Sequence, residues 1–368
     1  MTVPRTGEAC DLTIHGESPW GRRLIWRHER STACAARGIN RGAVFVSVPA
    51  AQNGTAGRPV ILFVLGINRS GTSALTRVLS LCGGALPGRL LGAMPDNPLG
   101  HWEPREANYL NEAILRRLGS SAFDPALHRR QERASDAKNK AASIADIGAF
   151  LTTLPAAPLV VVKDPRITLL SELWFDAARQ AGFDVVTVIA VRHPQEVIES
   201  IAVRSGASPE LSSALWLKYN LLAERDTRGV PRVFVHYENL LEDWRREIKR
   251  ISTALGVNLE TQDERAIEEF LKPDLHRQRH GGNVTELFGG DWISTVYEVL
   301  CAAARDEPWD GSALDRVFET YRASEKGFRT VFEDLRRAHK FYRFFRPSTF
   351  KVIVESLAMA NRRRGTWA

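Results

Sequence analysis

Cysteine is scarce in this chain, and the four present, Cys10, Cys34, Cys82 and Cys301, are scattered. None stands in a CxxC or ligand-like spacing, so neither a disulfide framework nor a cysteine-built zinc site organises the fold. Cys82 falls on an apolar helical pattern and reads as a buried thiol. Long apolar runs are missing too: none approaches the roughly 20 residues a membrane-spanning helix needs. The stretch Met1 to Trp20 has no apolar signal-peptide core. A cytoplasmic location is the default expectation.

Excess charge is absent from most of the chain. The net charge is +7, yet the segment Arg336 to Arg364 alone carries nine Lys and Arg against one acid, Glu355. The remainder is therefore close to neutral, and the basic character belongs to the C-terminus. There cations interleave with aromatics, in Lys340-Phe-Tyr-Arg-Phe-Phe-Arg346 and Phe350-Lys-Val-Ile-Val-Glu-Ser-Leu357. The first reading is a solvated helix packing by its apolar face. The second is peripheral contact with the inner membrane surface through 336–364. No fold signature for nucleic acid accompanies the run, and no such partner is expected.

What is present is a globular composition over 368 residues, enough for one large α/β domain with extensions or two modest domains. Residues 1–57 mix Arg, Gly, Ala and Thr without sustained periodicity and read as a partly disordered N-terminal extension, with one candidate strand at 43–48. Residues 58–300 read as the catalytic domain and 301–368 as a helical, basic extension. Buried strands are expected at 60–65, 158–163, 183–191 and 232–236. Helices are expected near 74–80, 106–118, 168–181, 194–200, 211–228 and 243–255, and 124–145 reads as exposed helix or a mobile lid. Strands that are continuous apolar runs, alternating with helices, imply an α/β fold: a central parallel sheet with helices on both faces, in three layers. Ligands in such folds bind beyond the carboxyl ends of the strands.

The first strand runs into Gly66-Ile-Asn-Arg-Ser-Gly-Thr-Ser73 and then a helix. The glycines permit a tight turn, and N–H groups at a helix start point at an anion. The loop is P-loop-like, almost the pattern G-x-x-x-x-G-K-[ST], but Thr72 stands where lysine is required. That departure points away from ATP and GTP hydrolysis. Arg69 supplies a permanent charge in a planar fork suited to phosphate or sulfate oxygens. A second element, Arg192-His-Pro-Gln-Glu-Val-Ile-Glu-Ser200, leaves the end of the third strand.

Together these elements resemble the sulfotransferases that use 3′-phosphoadenosine 5′-phosphosulfate as donor. In that family a Lys/Arg-Ser-Gly-Thr-Thr/Ser loop grips the 5′-phosphosulfate; here it is Arg69, Ser70, Gly71, Thr72 and Ser73. An Arg and a Ser eight residues apart hold the 3′-phosphate, matched by Arg192 and Ser200. A Tyr-Glu-Asp/Asn-Leu segment lies near the adenine, matched by Tyr237 to Leu240. The resemblance covers roughly residues 60–256, and arginine at 69 is similar to the carbohydrate and tyrosylprotein branches. Asn97-Pro-Leu-Gly-His-Trp-Glu103 looks like a segment common in bacterial members.

The resemblance implies a sulfuryl transfer from that donor to an acceptor hydroxyl on a carbohydrate or glycolipid, without a metal. Glu103 is the first choice for the base that takes the acceptor's proton, with capping of the next helix as its bland alternative, and His101 is the runner-up base. Lys163-Asp-Pro-Arg166 sits at the mouth of the second strand, where basic residues would neutralise the donor or orient the acceptor. The chain departs from the family in two places. Ala74 occupies the region where cytosolic members carry a Trp that stacks adenine. The C-terminal Arg-Lys-Gly for the 3′-phosphate has no clean copy, and Arg277 or Arg279 is the nearest substitute. Two alternatives stand beside this reading. One is an atypical P-loop kinase or NTPase taking a lysine from elsewhere, such as Lys163, with magnesium. The other is a non-catalytic nucleotide-binding module recruited to membranes.

Overall fold

The structure is a computed structural model that describes residues 57–94, 97–127, 134–261, 263–271, 284–286, 290–325 and 356. Its centre is a parallel sheet of β1 (Val60–Leu65), β2 (Leu159–Lys163), β3 (Asp184–Val191) and β4 (Arg232–His236), in the order β2-β1-β3-β4. Val60 pairs with Leu159 on one side and Asp184 on the other, so β1, β2 and β3 start level. β4 joins β3 from Thr187↔Arg232 to Val191↔His236. The four strands match the apolar runs to within a residue.

Alternation along each strand feeds two cores. Ile61, Phe63 and Leu65 of β1, Val160 and Val162 of β2, and Ile189 and Val191 of β3 face one side. Leu62, Val64, Val161, Val186, Val188, Val233 and Val235 face the other. The second side is covered by α1 (Thr72–Leu81), α7 (Tyr237–Glu242), α8 (Trp244–Leu255) and α9 (Glu264–Phe270). The first is covered by α2 (Arg105–Arg117), α3 (Ala134–Leu151), α4 (Ser171–Gln180), α5 (Pro194–Ser205), α6 (Pro209–Asp226) and α10 (Trp292–Ala304). A sheet buried on both faces needs apolar residues at consecutive positions, which is why the strands read as unbroken runs. Each such side chain contributes about 1.5–3 kcal/mol by leaving water.

Local chemistry sets the helix starts. Asp243 begins α8 by accepting from the Arg246 N–H at 3.0 Å, and Ser208 begins α6 by accepting from the Leu211 N–H at 3.2 Å. Asp164 accepts from the Arg166 N–H at 2.8 Å and starts a short 3-10 turn, Pro165–Leu170, ahead of α4. Such caps contribute about 1 kcal/mol each.

The stretch read as exposed helix or lid supplies the first part of α3, and most of 137–145 is exposed there. Beyond it α3 packs on α4 and buries Ile147, Phe150 and Leu151 in the core. Its buried Ser143 is satisfied by donating to the Asn139 carbonyl and accepting from Arg117, so a polar sequence is compatible with packing there. The boundary drawn at 300 falls inside α10, and Leu314, Val317, Phe318 and Tyr321 of the following helix, 311–325, belong to the same core. The strand proposed at 43–48 and nearly all of 336–364 lie outside the described residues. Among the described residues no helix is long and apolar enough to cross a membrane, and no cluster of ligating side chains suits a metal. Cys82 is fully buried, and burial pushes its thiol up to about 11.

Candidate active site

All four strands end on the same rim, and the loop leaving β1 lies at its centre. Gly66 has φ 132°, and its N–H donates to the Thr168 hydroxyl at 2.9 Å. A β-carbon there would come within 2.9 Å of the Ala190 carbonyl of β3. Gly71, with φ 89°, precedes α1, and a β-carbon there would overlap the Tyr237 ring at 2.3 Å. Both positions therefore require glycine, for conformation and for space. Arg69 adopts φ 76°, a left-handed conformation that costs a side-chain-bearing residue about 1–2 kcal/mol.

Two side-chain contacts hold Arg69 at that cost. Its Nε donates to the Ser200 hydroxyl on α5 at 2.7 Å, and its carbonyl accepts from Arg192 Nη1 at 2.9 Å. The Arg192 guanidinium lies 4.8 Å from the centre of the Tyr237 ring, within cation–π range. Residues from the ends of β1, β3 and β4 thus converge: the structure brings Arg69, Arg192, Ser200 and Tyr237 together around the start of α1. Ser70 is buried, and its hydroxyl donates to the Ile67 carbonyl at 2.7 Å, closing the turn on itself. Thr72 is buried in the first turn of α1, and Ser73 is half-buried beside it. Arg277 and Arg279 lie outside the described residues.

A second cluster adjoins the loop. Lys163 ends β2 with its side chain 2 % exposed, and its ammonium donates to Glu103 Oε1 at 2.7 Å, the His101 carbonyl at 3.1 Å and the Ser73 hydroxyl at 3.2 Å. Ser73 also donates to the His101 carbonyl at 3.2 Å. Asn108 donates to Glu103 Oε2 at 3.1 Å, and Arg166 stands 3.9 Å from the same oxygen. Burial alone would raise the Glu103 carboxyl, but Lys163 first, then Arg166 and His101, bring it below the ordinary carboxylate range. The helix-cap alternative for Glu103 fails, because Pro104 holds the cap position before α2 and no side chain caps the helix. Asp164 is fully buried; burial keeps its carboxyl above the ordinary range although Arg166 pairs with it at 3.1 Å. It anchors Arg166, which also reaches Glu112 at 2.6 Å.

The tie between Lys163 and the loop was not apparent in the sequence beyond a basic residue at a strand end. The usable signal was a lysine closing a fully buried strand, since an ammonium there must find partners. Asn108 and Thr168 gave no signal at all.

The site of this α/β protein sets a glycine-bracketed strand–loop–helix turn carrying Arg69 beside Arg192 from the end of β3 and Lys163 from the end of β2. A family model described as the sulfotransferase family matches residues 59–261, more than half of the chain, and the chain belongs to that family. No match was found among curated proteins. Among solved structures it is similar to the sulfotransferase domain of the Synechococcus PCC 7002 olefin synthase, at 24% identity, covering 73% of this chain and 97% of that one with a TM-score of 0.36. It is also similar to the sulfotransferase domain from the curacin biosynthetic pathway, at 18% identity, 71% and 97% coverage and a TM-score of 0.33. A third is a sulfotransferase from Mycobacterium tuberculosis, at 16% identity, 58% and 71% coverage and a TM-score of 0.31.

Proposed function

We propose that this sulfotransferase takes its sulfuryl group from 3′-phosphoadenosine 5′-phosphosulfate and transfers it to a hydroxyl of a carbohydrate or glycolipid. The observation that carries the donor is the contact between the loop after β1 and the Arg192–Ser200 element, through Arg69 Nε to Ser200 and Arg192 to the Arg69 carbonyl. A donor with phosphate groups at both ends of its ribose needs two cationic elements held at fixed separation. A Gly71 position with no room for a side chain lets the backbone approach an anion closely.

In this reading the N–H groups of Gly71 to Ser73 and the Ser73 hydroxyl hold the 5′-phosphate. Arg69 neutralises the bridging oxygen as its bond to sulfur breaks. Arg192 and Ser200 read the 3′-phosphate, and Tyr237 lies beside them. Lys163 faces the sulfuryl oxygens through the edge it now presents to Ser73. As the sulfur–oxygen bond to the acceptor forms, Glu103 accepts the acceptor's proton. Its pairing with Lys163 keeps it ionised but weakly basic, so drawing Lys163 towards an incoming anion raises its basicity at the moment it is needed. Charge control by preorganised donors supplies most of the acceleration in transfers of this kind. His101, the other base candidate, contributes its backbone carbonyl to Lys163 and Ser73.

Calorimetry with adenosine 3′,5′-bisphosphate, adenosine 5′-phosphate and ATP, each with and without magnesium, tests the donor. Tightest binding to the bisphosphate without metal is expected. Preference for Mg-ATP would replace this reading with phosphoryl transfer.

A further inference from the structure

Arg192 is held by a carboxylate to which nothing above assigns a role. Glu196 lies one turn further along α5, is 1 % exposed, and accepts from Arg192 Nε at 2.6 Å. A buried carboxylate so close to a proposed phosphate site is costly twice over: it loses hydration, and it repels the anion the site is meant to hold. Its position must therefore do something that outweighs both.

The geometry shows what. Arg192 Nε is fixed by Glu196, and this sets the plane of the guanidinium. In that plane Nη1 reaches the Arg69 carbonyl at 2.9 Å while the face lies over Tyr237. The Arg69 carbonyl belongs to the one loop residue with a side chain and a positive φ, so its direction depends on an external donor. Arg69 in turn donates to Ser200, which stands four residues beyond Glu196 on α5, on the same helix face. Glu196, Arg192, Arg69 and Ser200 form a continuous chain of contacts that begins and ends on α5, with Glu196 at its buried end.

We infer that Glu196 is a positioning residue for donor recognition: it orients Arg192, and through Arg192 the Arg69 turn, so that the two anion-binding elements keep one spacing. The inference rests on the donor reading above. It makes a prediction opposite in sign to simple electrostatics. Removing a negative charge beside an anion site should tighten anion binding; removing a positioning group should loosen it.

The test compares wild type, Glu196→Gln and Glu196→Ala by calorimetry with adenosine 3′,5′-bisphosphate and adenosine 5′-phosphate. Circular dichroism melts confirm folding, and the Gln variant keeps shape and one acceptor oxygen should the Ala variant not fold. The expected result is a loss of bisphosphate affinity of about tenfold in the Ala variant, the scale of one charge-assisted hydrogen bond, and a smaller loss in the Gln variant. Affinity for the 5′-phosphate alone should change far less. Unchanged or tighter bisphosphate binding, or equal losses for both ligands, overturns the positioning role. If wild type shows no preference for the bisphosphate, the donor reading fails first, and this inference falls with it.

Discussion

Arg69 and Glu103 act on opposite ends of the proposed transfer, and each has a distinct signature. Arg69→Ala removes a donor aimed at developing charge, so turnover should fall by about 10²–10³. Melting temperature should hardly move, since Arg69 is not in the core. Steady-state kinetics with a separate melt checks both halves, and wild-type turnover would end the assigned role. Glu103 has a pH signature. Its folded carboxyl lies below the ordinary value of 4.5, so its stabilising contribution is complete above about that pH. The contribution is lost as pH falls through the lower, folded value. Glu103→Gln leaves Lys163 buried without its counter-charge and should cost about 3 kcal/mol near neutral pH. The stability gap to wild type should shrink in acid, which urea melts at pH 7 and pH 3 will show. Turnover of the same variant should fall about 10²-fold if the carboxylate is the base.

At the scale of elements, the turn between β1 and α1 is locked from two directions. Gly71 has no room for a β-carbon against Tyr237, the first residue of α7, and its φ is one that side chains avoid. Gly71→Ala should therefore lower stability through both collision and backbone strain, the latter about 1–2 kcal/mol. A double-mutant cycle separates the causes. Adding Tyr237→Ala should relieve the collision but not the strain, leaving a coupling energy of matching sign. Additive losses would mean that the ring already has somewhere to go. The start of α8 offers a simpler test of element chemistry: Asp243→Ala should cost about 1 kcal/mol in melts through the lost bond to the Arg246 N–H, with no change in donor affinity.

For the molecule as a whole, the rim of the sheet gathers the ends of β1, β2 and β3 into one site, with β1 and β3 adjacent at the centre. A ligand gripping all three ties the fold together. Adenosine 3′,5′-bisphosphate at about 100 times its dissociation constant should add about 2.7 kcal/mol, raising the melting temperature by roughly 3–5 °C. Chelator should leave that shift intact, whereas a kinase-like site would need magnesium for its nucleotide. A thermal-shift assay with and without chelator gives the answer.

Sequence alone determined the four strands, because a sheet covered on both faces needs unbroken apolar runs, and it determined the turn at 66–73, because glycine spacing and hydroxyls there follow from backbone chemistry. It also marked Arg192, Ser200 and Tyr237, each a short distance past a strand end. Strand order, the packing of α3 on α4 and the Lys163–Glu103 pair were decided only by tertiary structure. The reason is physical. A strand or a turn is specified by neighbours within a few residues, whereas the partner of a buried charge is whichever group the packed layers deliver to it. Lys163 and Glu103 are sixty positions apart in the chain and 2.7 Å apart in the fold.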